Sequence, residues 1–285
     1  MLKEPDRRPK KKLWGWLWTI IIPLVIGIPL SLLIPQPIVG VIYLDDSIYS
    51  ATAQEMISQI TYAREHPEVR AVVLVLNSPG GTVVDTESVY LELARLRETK
   101  PVITVVEGMA ASGAYYLSVG TDYIYAKPSS MVGNIGIIGV LPSYPSVDEE
   151  YYSTGPYKLT GSSRDQYMRE MEMLKQAFWQ AVQMGRGSSL TAKQEEVLSG
   201  QIWMGAEALK VGIIDELGTQ SQAVDKAANL AKIAHYQVVN LRKLADLSSS
   251  SAYTFYYQTE EGNITSFPNR EGLYFLYIQP KEDLQ

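Results

Sequence analysis

Short apolar runs alternate with segments of helical spacing along most of this chain, and this alternation constrains its fold more than any other feature. The runs Ile38–Leu44, 71–76 and 102–106 are uncharged and almost wholly apolar. Such runs are typical of parallel strands that are buried on both faces of a sheet. Helical spacing lies between and after them, at 51–65, 82–98, 164–184 and 205–232. The pattern predicts an α/β fold in which helices cover both faces of a parallel sheet.

The segment 13–44 contains no charged residue, and three tryptophans stand near its start. About 20 apolar residues span a bilayer core, and tryptophan favours the boundary with the headgroups. Basic residues are concentrated in 1–12, so the positive-inside rule places the N-terminus in the cytoplasm. We therefore predict a cytoplasmic segment over 1–12 and a single transmembrane signal anchor over 13–35. A cleaved secretory peptide is the alternative, but the apolar run is longer than an h-region and lacks a small-x-small cleavage site.

Composition excludes several classes of function. The net charge is −6, and six of the basic residues lie within 1–12, so the rest of the chain is more acidic still. An acidic protein is a poor candidate for nucleic-acid binding, because such binding draws its affinity from basic side chains that neutralise phosphates. The chain has no cysteine, which excludes disulfides, thiolate metal sites and a cysteine nucleophile. Its two histidines, His66 and His235, lack metal-ligand spacing, so no metal site is predicted.

Two strand ends carry small residues, and ligand sites in open parallel sheets lie at the carboxyl ends of strands. After the second strand, Gly80 and Gly81 allow backbone N–H groups to point at a ligand. After the third strand, Ser112 stands where a helix is predicted to begin. A tight turn and an N-cap serine explain these segments when each is taken alone. Their occurrence on neighbouring βα units instead favours an oxyanion hole beside a nucleophile.

A serine nucleophile needs a base, and histidine is nearly unavailable in this chain. A lysine serves where apolar surroundings disfavour its ammonium form. Lys158 is the only charged residue in 154–159, and tyrosines lie nearby. The acidic residues 148–150 would favour the ammonium form if they came close. Lys127, beside a proline in a predicted surface turn, is the fallback base.

Six segments, taken in order, resemble the signal peptide peptidase A family of serine proteases. Each is weak alone, but their order over about 38–234 is specific. They are 77–81 (NSPGG), 110–116 (AASGAYY), 133–136 (GNIG), 155–158 (GPYK), 185–187 (GRG) and 205–218 (GAEALKVGIIDELG). The resemblance implies a Clp-protease/crotonase-like fold, in which ββα units form a spiral, with a protease domain over 38–240.

The resemblance also implies the roles of the site residues. Ser112 is expected to be the nucleophile and Lys158 the general base of a Ser-Lys dyad. Backbone N–H groups of Gly81 and Gly113 are expected to hold the oxyanion, with Gly80 beside them as a supporting residue. The expected activity is that of a serine endopeptidase.

Partners and location follow from the same resemblance. Members assemble as rings or domes, so we expect a homo-oligomer with shared active sites, in which the lysine comes from a neighbouring subunit. The expected substrates are signal-peptide remnants and other apolar peptides. The expected place is the bacterial cytoplasmic membrane, with one span and the catalytic domain on the outer face. Neither a metal nor a nucleotide cofactor is expected, and no nucleic-acid partner.

Two other functions remain open at this point. The family has a lysine-supporting serine where this chain has Asn134, which keeps open a non-catalytic membrane scaffold, or pseudoprotease, that binds apolar peptides. A crotonase-type acyl-CoA enzyme would need a carboxylate near the oxyanion donors, for which Glu107 is the candidate. An outward-facing domain would be separated from cytoplasmic CoA. The Tyr-rich segment 241–285 has no counterpart in the family. It could form a small antiparallel appendage, and its role is not predicted.

Overall fold

The structure is a computed structural model, and it describes residues 11–32, 36–140, 154–158, 160–245, 247, 257–258, 264–265 and 272–276. The helices are α1 (Lys11–Leu32), α2 (Ser50–Glu65), α3 (Val83–Arg97), α4 (Gly113–Val119), α5 (Arg164–Arg186), α6 (Gln194–Val197), α7 (Gly205–Val211), α8 (Gln220–Leu230) and α9 (Leu241–Leu244). The strands are β1 (Ile38–Leu44), β2 (Val69–Ser78), β3 (Gly80–Thr82), β4 (Val102–Ala111), β5 (Tyr123–Ala126), β6 (Met131–Gly133), β7 (Ile138–Val140), β8 (Ile202–Met204), β9 (Glu216–Leu217), β10 (Gln237–Asn240), β11 (Tyr257–Gln258), β12 (Ile264–Thr265) and β13 (Gly272–Leu276). Some predicted features lie outside the described residues, namely residues 1–10 of the cytoplasmic segment, the acidic residues 148–150 and most of the Tyr-rich segment.

The chain divides into two compact units, Met1–Gln36 and Pro37–Gln285. In the first unit, α1 carries large apolar side chains that are exposed, Trp16, Leu24 and Ile28 among them. No helix among the described residues combines the length and the hydropathy that a membrane span requires. The transmembrane anchor over 13–35 therefore stays a prediction.

A parallel sheet forms the centre of the second unit. Its strands follow the order β10-β1-β2-β4-β5-β9, and every neighbouring pair in that order is parallel. Near the carboxyl end of β4, β6 pairs in parallel with its last residues, and β8 pairs antiparallel with β6. Helices connect the parallel strands, so the predicted α/β class is confirmed.

Alternate residues of the central strands pack into separate apolar layers. On β2, Leu74 and Leu76 face a layer that includes residues of α2, α3, α4 and α5, whereas Val73 and Val75 face α8 on the other side. All four side chains are buried. Burying a Val or Leu side chain contributes roughly 1.5–3 kcal/mol, so the sheet is stabilised from both faces. This double burial is why the strand sequences have no polar face.

The predicted helical stretch 205–232 is wrong in one respect, because it consists of two helices. The first, α7, ends at Val211, and Gly212 follows with a φ of +80°. A Cβ at Gly212 would lie 1.8 Å from the carbonyl oxygen of Ser189, so the position excludes larger residues. A glycine in this left-handed conformation ends a helix, and β9 then intervenes before α8.

A second sheet joins three distant parts of the chain. Its central strand, β13, lies between β3 and β7 and is antiparallel to both. β11 and β12 form a separate antiparallel pair. Since β13 belongs to the Tyr-rich segment, part of that segment pairs with the strand that contains Gly80 and Gly81.

Candidate active site

The two strand ends singled out in the sequence lie side by side. β2 and β4 are neighbours in the parallel sheet, and Ser78 near the end of β2 is the partner of Ala110 near the end of β4. Gly80 lies one residue beyond Pro79, which follows Ser78, and Ser112 lies one residue beyond Ala111, which follows Ala110. The topology therefore brings the candidate oxyanion donor and the candidate nucleophile to the same edge of the sheet.

Backbone geometry makes both glycines of the turn necessary. Gly80 has a φ of +100°, and its N–H donates to the buried Ser78 hydroxyl at 3.2 Å. A Cβ at Gly81 would lie 1.8 Å from the carbonyl oxygen of Ile48, far inside van der Waals contact. Gly80 is thus required by its conformation and Gly81 by the close approach of Ile48.

The hydrogen bonds to Ile48 fix the direction in which Gly81 points. The Ile48 N–H donates to the Gly80 carbonyl at 2.7 Å, and the Thr82 N–H donates to the Ile48 carbonyl at 2.9 Å. Because successive residues of an extended strand present their N–H and C=O groups to opposite edges, those of Gly81 point away from Ile48. Thr82 also caps α3, since its hydroxyl accepts from the Asp85 N–H at 3.2 Å.

Ser112 adopts a backbone conformation that an N-cap residue does not have. Its φ is +52° and its ψ is −117°, and its side chain makes no capping hydrogen bond to α4. A non-glycine residue in such a region costs about 1–3 kcal/mol and occurs preferentially at functional sites. Sharp, strained strand-to-helix turns of this kind present the nucleophilic serine of α/β-hydrolases. The N-cap explanation of Ser112 is therefore wrong.

Neighbouring strands hold this strained turn in place. The Ser112 N–H donates to the Gly133 carbonyl at 2.7 Å, and the Ser112 carbonyl accepts from the Tyr116 N–H at 2.9 Å. The Ser112 residue as a whole is only 1% exposed. Gly133 has a φ of +114°, and a Cβ there would meet the ring of Trp203 at 2.6 Å. The conformation of Ser112 thus depends on a glycine that is itself packed against an aromatic ring.

Asn134 positions the segment that holds Ser112. Its φ is +53°, a left-handed conformation that asparagine tolerates better than most residues. Its side-chain amide donates to the Gly200 carbonyl at 2.8 Å, and its backbone N–H donates to the Gln201 carbonyl at 2.8 Å. Both bonds tie the residue after Gly133 to the chain that leads into β8. The side chain thus acts as a donor in a backbone clamp, and no hydrogen bond of the described residues joins it to Lys158.

Two tyrosines anchor α4, the helix that begins directly after Ser112. Tyr115 is completely buried, and its hydroxyl donates to the Ile213 carbonyl at 2.8 Å. Tyr116 packs edge-on against the rings of Tyr90 at 4.8 Å and Phe178 at 4.9 Å. Burial raises the pKa of Tyr115 well above its ordinary value and the pKa of Tyr116 to about 12. Both phenols therefore stay neutral near pH 7 and are unsuited to act as the base.

A buried ion pair fixes the loop to which Tyr115 is bonded, and sequence reasoning assigned it no role. The Arg186 guanidinium binds both carboxylate oxygens of Asp215 at 2.8 Å and also donates to the Gly212 carbonyl at 2.9 Å. Asp215 in turn accepts from the Ile124 N–H at 2.8 Å. Both residues lie in segments that carry the family resemblance, and this was the only sequence signal for them.

The two candidate bases occupy different surroundings. Lys158 lies in a turn in which its N–H donates to the Gly155 carbonyl at 3.2 Å, and its side chain is exposed. Among the hydrogen bonds of the described residues, none joins Lys158 to Ser112. Lys127 forms an ion pair with Glu107, a residue of the strand that leads to Ser112. The Lys127 amine is thus held by a carboxylate, and no hydrogen bond among the described residues joins it to Ser112.

Neither histidine offers an alternative base. His66 lies at the end of α2, where its ring stacks on Tyr62 with 3.7 Å between centroids. His235 is exposed, just before β10. Within the described part of the chain, no cluster of His, Asp or Glu side chains has the arrangement of a metal site.

Comparison with known proteins gives two overlapping family matches. Residues 94–234 match the family described as Peptidase family S49, and residues 38–132 match the family described as Clp protease. The α/β architecture above is consistent with a Clp-protease-like domain.

Individual relatives carry names of the same kind. The chain is 34% identical to Protease 4 of Salmonella typhi over 194 residues, which cover 64% of this chain and 31% of that protein. It is 34% identical to Protease 4 of Haemophilus influenzae over 182 residues, covering 59% of this chain and 29% of the relative. It is 30% identical to the chloroplastic serine protease SPPA of Arabidopsis thaliana over 212 residues, covering 70% and 31%. The chain thus spans about a third of the length of these relatives.

Proposed function

We propose that this chain, which matches peptidase family S49 over residues 94–234, is a membrane-anchored serine endopeptidase that uses Ser112 as nucleophile and Lys158 as general base. The observation that carries this proposal is the conformation of Ser112, whose side chain is released from helix capping by a strained turn. Strain that persists at one polar residue beside a glycine turn is best explained by its chemistry.

The proposed reaction uses the groups at this edge of the sheet. Ser112 Oγ attacks the carbonyl carbon of the scissile peptide and passes its proton to the Lys158 amine. The oxyanion that forms accepts hydrogen bonds from the N–H groups of Gly81 and Gly113. The first of these points away from Ile48, and the second lies in the first turn of α4, where N–H groups have no intrahelical partner. Lys158 then protonates the leaving amine, and water hydrolyses the acyl-serine by the same route.

The exposure of Lys158 supports an active site that is shared between subunits. In the single chain its side chain is exposed, and no hydrogen bond among the described residues brings its amine to Ser112. In the proposed homo-oligomer, Lys158 of the partner subunit supplies the base to Ser112, and the interface provides the apolar surroundings that a neutral amine needs. A chain that stays monomeric would accordingly be inactive.

Location and substrates belong to the same proposal. The basic residues within 1–12 and the exposed apolar side chains of α1 support a single-pass anchor over 13–35 with a cytoplasmic N-terminus. The catalytic domain then lies at the outer face of a bacterial cytoplasmic membrane. We propose apolar peptides as substrates, with signal-peptide remnants as the main class, held by a spiral of ββα units of the Clp-protease type.

Covalent labelling of the full-length protein in detergent tests the proposal. A fluorophosphonate is expected to modify Ser112, with the site located by peptide mass mapping, and the label is expected to disappear in Ser112→Ala. Ser88→Ala is the matched control, because Ser88 lies on α3 and its hydroxyl donates to the Val84 carbonyl of the same helix. Labelling that survives in Ser112→Ala, or absence of labelling both in the folded wild-type protein and in a folded chain that ends at Glu271, would contradict the assignment.

A non-catalytic peptide-binding scaffold is the second candidate function. It is favoured by Asn134, whose amide donates to Gly200 where the family serine supports the lysine, and by the exposure of Lys158. A scaffold would bind an apolar peptide without cutting it and would not react with the fluorophosphonate. The crotonase-type alternative has less support, because its candidate carboxylate, Glu107, is paired with Lys127.

A further inference from the structure

The strand β13 fills a gap between two short strands beside the candidate active site. On one edge it pairs with β3, with Phe275 opposite Gly81 and Leu276 opposite Gly80. On its other edge it pairs with β7, with Leu273 opposite Gly139. β3 and β7 do not pair with each other among the described residues, so β13 alone links them. Without β13, each would present an open edge to the same slot.

The register places the backbone of Phe275 at the candidate oxyanion donor. The Gly80 carbonyl and the Thr82 N–H point to Ile48. The N–H and C=O groups of Gly81 therefore point to the opposite edge of β3, where Phe275 is the residue directly across. The group proposed to stabilise the oxyanion of a substrate thus faces the main chain of the protein's own tail.

The path of β13 is that of an extended ligand. It contacts α4, which begins at the residue after Ser112, and it also contacts α3. Extended peptides commonly bind proteins by adding an antiparallel strand to an exposed edge, with main-chain hydrogen bonds supplying the affinity. β13 does this on both of its edges at once. Its position therefore combines strand addition with proximity to the candidate nucleophile and the candidate oxyanion donor.

We propose that Gly272–Leu276 is an internal pseudosubstrate, which occupies the peptide-binding slot between β3 and β7 and must leave before an external peptide can enter. This inference rests on the proposed function and adds regulation of the same site. The protein is then autoinhibited, and its activity is set by how often β13 detaches. An apolar peptide substrate competes with β13 for the same backbone groups of β3 and β7.

Proline substitution within the full-length chain tests the inference. Phe275→Pro removes the N–H that faces Gly81 and disfavours a central strand position. It is expected to raise the rate of fluorophosphonate labelling at Ser112 by about tenfold, equivalent to about 1.4 kcal/mol. Leu284→Pro is the matched control, because it places the same residue in the tail beyond β13, and it is expected to label like the wild-type protein.

Truncation gives a second test if Phe275→Pro fails to fold. A chain that ends at Glu271 lacks β13, whereas a chain that ends at Leu276 keeps it. The shorter chain is expected to react faster, and a synthetic peptide of residues 270–279 is expected to inhibit it competitively, while a scrambled peptide does not. Hydrogen exchange should show the Gly81 amide newly exposed in the shorter chain, with the Thr82 amide still protected by Ile48.

The outcomes separate this inference from the proposed function. Equal labelling rates in the wild-type protein and in folded variants that lack or release β13 would overturn the pseudosubstrate and leave the serine peptidase standing. Absence of labelling in every folded variant would overturn both. Faster labelling confined to Phe275→Pro and to the chain ending at Glu271 would support both.

Discussion

Replacing Gly81 by alanine is a sharp test of the site geometry, because the structure fixes the size of the disturbance. The new Cβ would lie 1.8 Å from the Ile48 carbonyl oxygen, so β3 must retreat by about 1.6 Å to restore ordinary contact. That shift breaks the two hydrogen bonds that Ile48 makes with Gly80 and Thr82, each of which contributes about 0.5–1.5 kcal/mol.

These terms set the magnitude of the expected effect. Overpacking adds about 1–3 kcal/mol, so the free energy of unfolding should fall by about 2–6 kcal/mol in total. The N–H of residue 81 would move with the strand, and loss of one oxyanion donor lowers kcat by about 10²–10³. Chemical denaturation measures the first quantity, and hydrolysis of a fluorogenic apolar peptide by the detergent-solubilised protein measures the second.

Gly136→Ala is the matched control for this substitution. A Cβ at Gly136 would meet no atom within 4 Å, so the variant should retain both stability and activity. A Gly81→Ala protein that behaves like Gly136→Ala in both assays would refute the close approach of Ile48 and with it the assigned direction of the Gly81 N–H. Loss of stability with full activity would refute only the catalytic role.

Three further predictions concern the base, the ion pair and the amide clamp. Lys158→Ala is expected to abolish peptide hydrolysis while leaving the oligomer intact by size-exclusion chromatography, because Ser112 then lacks the group that takes its proton. Full activity in the variant would reject the lysine base. Arg186→Met is expected to lower the free energy of unfolding by about 3 kcal/mol, since it leaves the partly buried Asp215 carboxylate without its partner. The more exposed pair of Arg97 should contribute less than about 1 kcal/mol in Arg97→Ala. Equal losses in denaturation would contradict this ranking. Asn134→Val is expected to slow fluorophosphonate labelling of Ser112, because a β-branched residue disfavours a positive φ. Asn134→Gly keeps that conformation and should label faster than Asn134→Val. The reverse order would contradict the role of Asn134 in the backbone clamp.

Sequence reasoning predicts best what depends on local patterning. The strands around residues 38–44 and 71–76 and the helix over 82–98 are found with small differences at their ends. The strand predicted over 102–106 is also found, but β4 continues to Ala111. A strand that is buried on both faces requires a continuous apolar run, and a helix with one buried face requires apolar residues at helical spacing. Both patterns can be recognised from residues that are close in sequence. The break at Gly212 was missed, although a glycine is itself a helix-stop signal in the local sequence, and Gly212 ends α7 in a left-handed conformation.

The candidate site depends on contacts that the local sequence leaves open. A serine at the start of a helix serves equally as an N-cap or as the apex of a strained turn. The φ of +52° and the missing side-chain capping bond of Ser112 distinguish the two. Likewise, the direction of Gly81 is set by Ile48, and the position of β13 by two strands far from it in sequence. Long-range backbone pairing of this kind leaves no periodic signature, which is why the tail was assigned no role from sequence.

The most direct test of the account is the distance between the Ser112 hydroxyl oxygen and the nearest Lys158 amine in the assembled protein. A cryo-EM or crystal structure of the homo-oligomer would measure it, whether the lysine comes from the same chain or from the partner subunit. The account predicts a separation of about 2.6–3.2 Å, the range of a hydrogen bond between nucleophile and base. Separations beyond about 6 Å at every site, too far for the two groups to interact strongly, would contradict the proposed dyad.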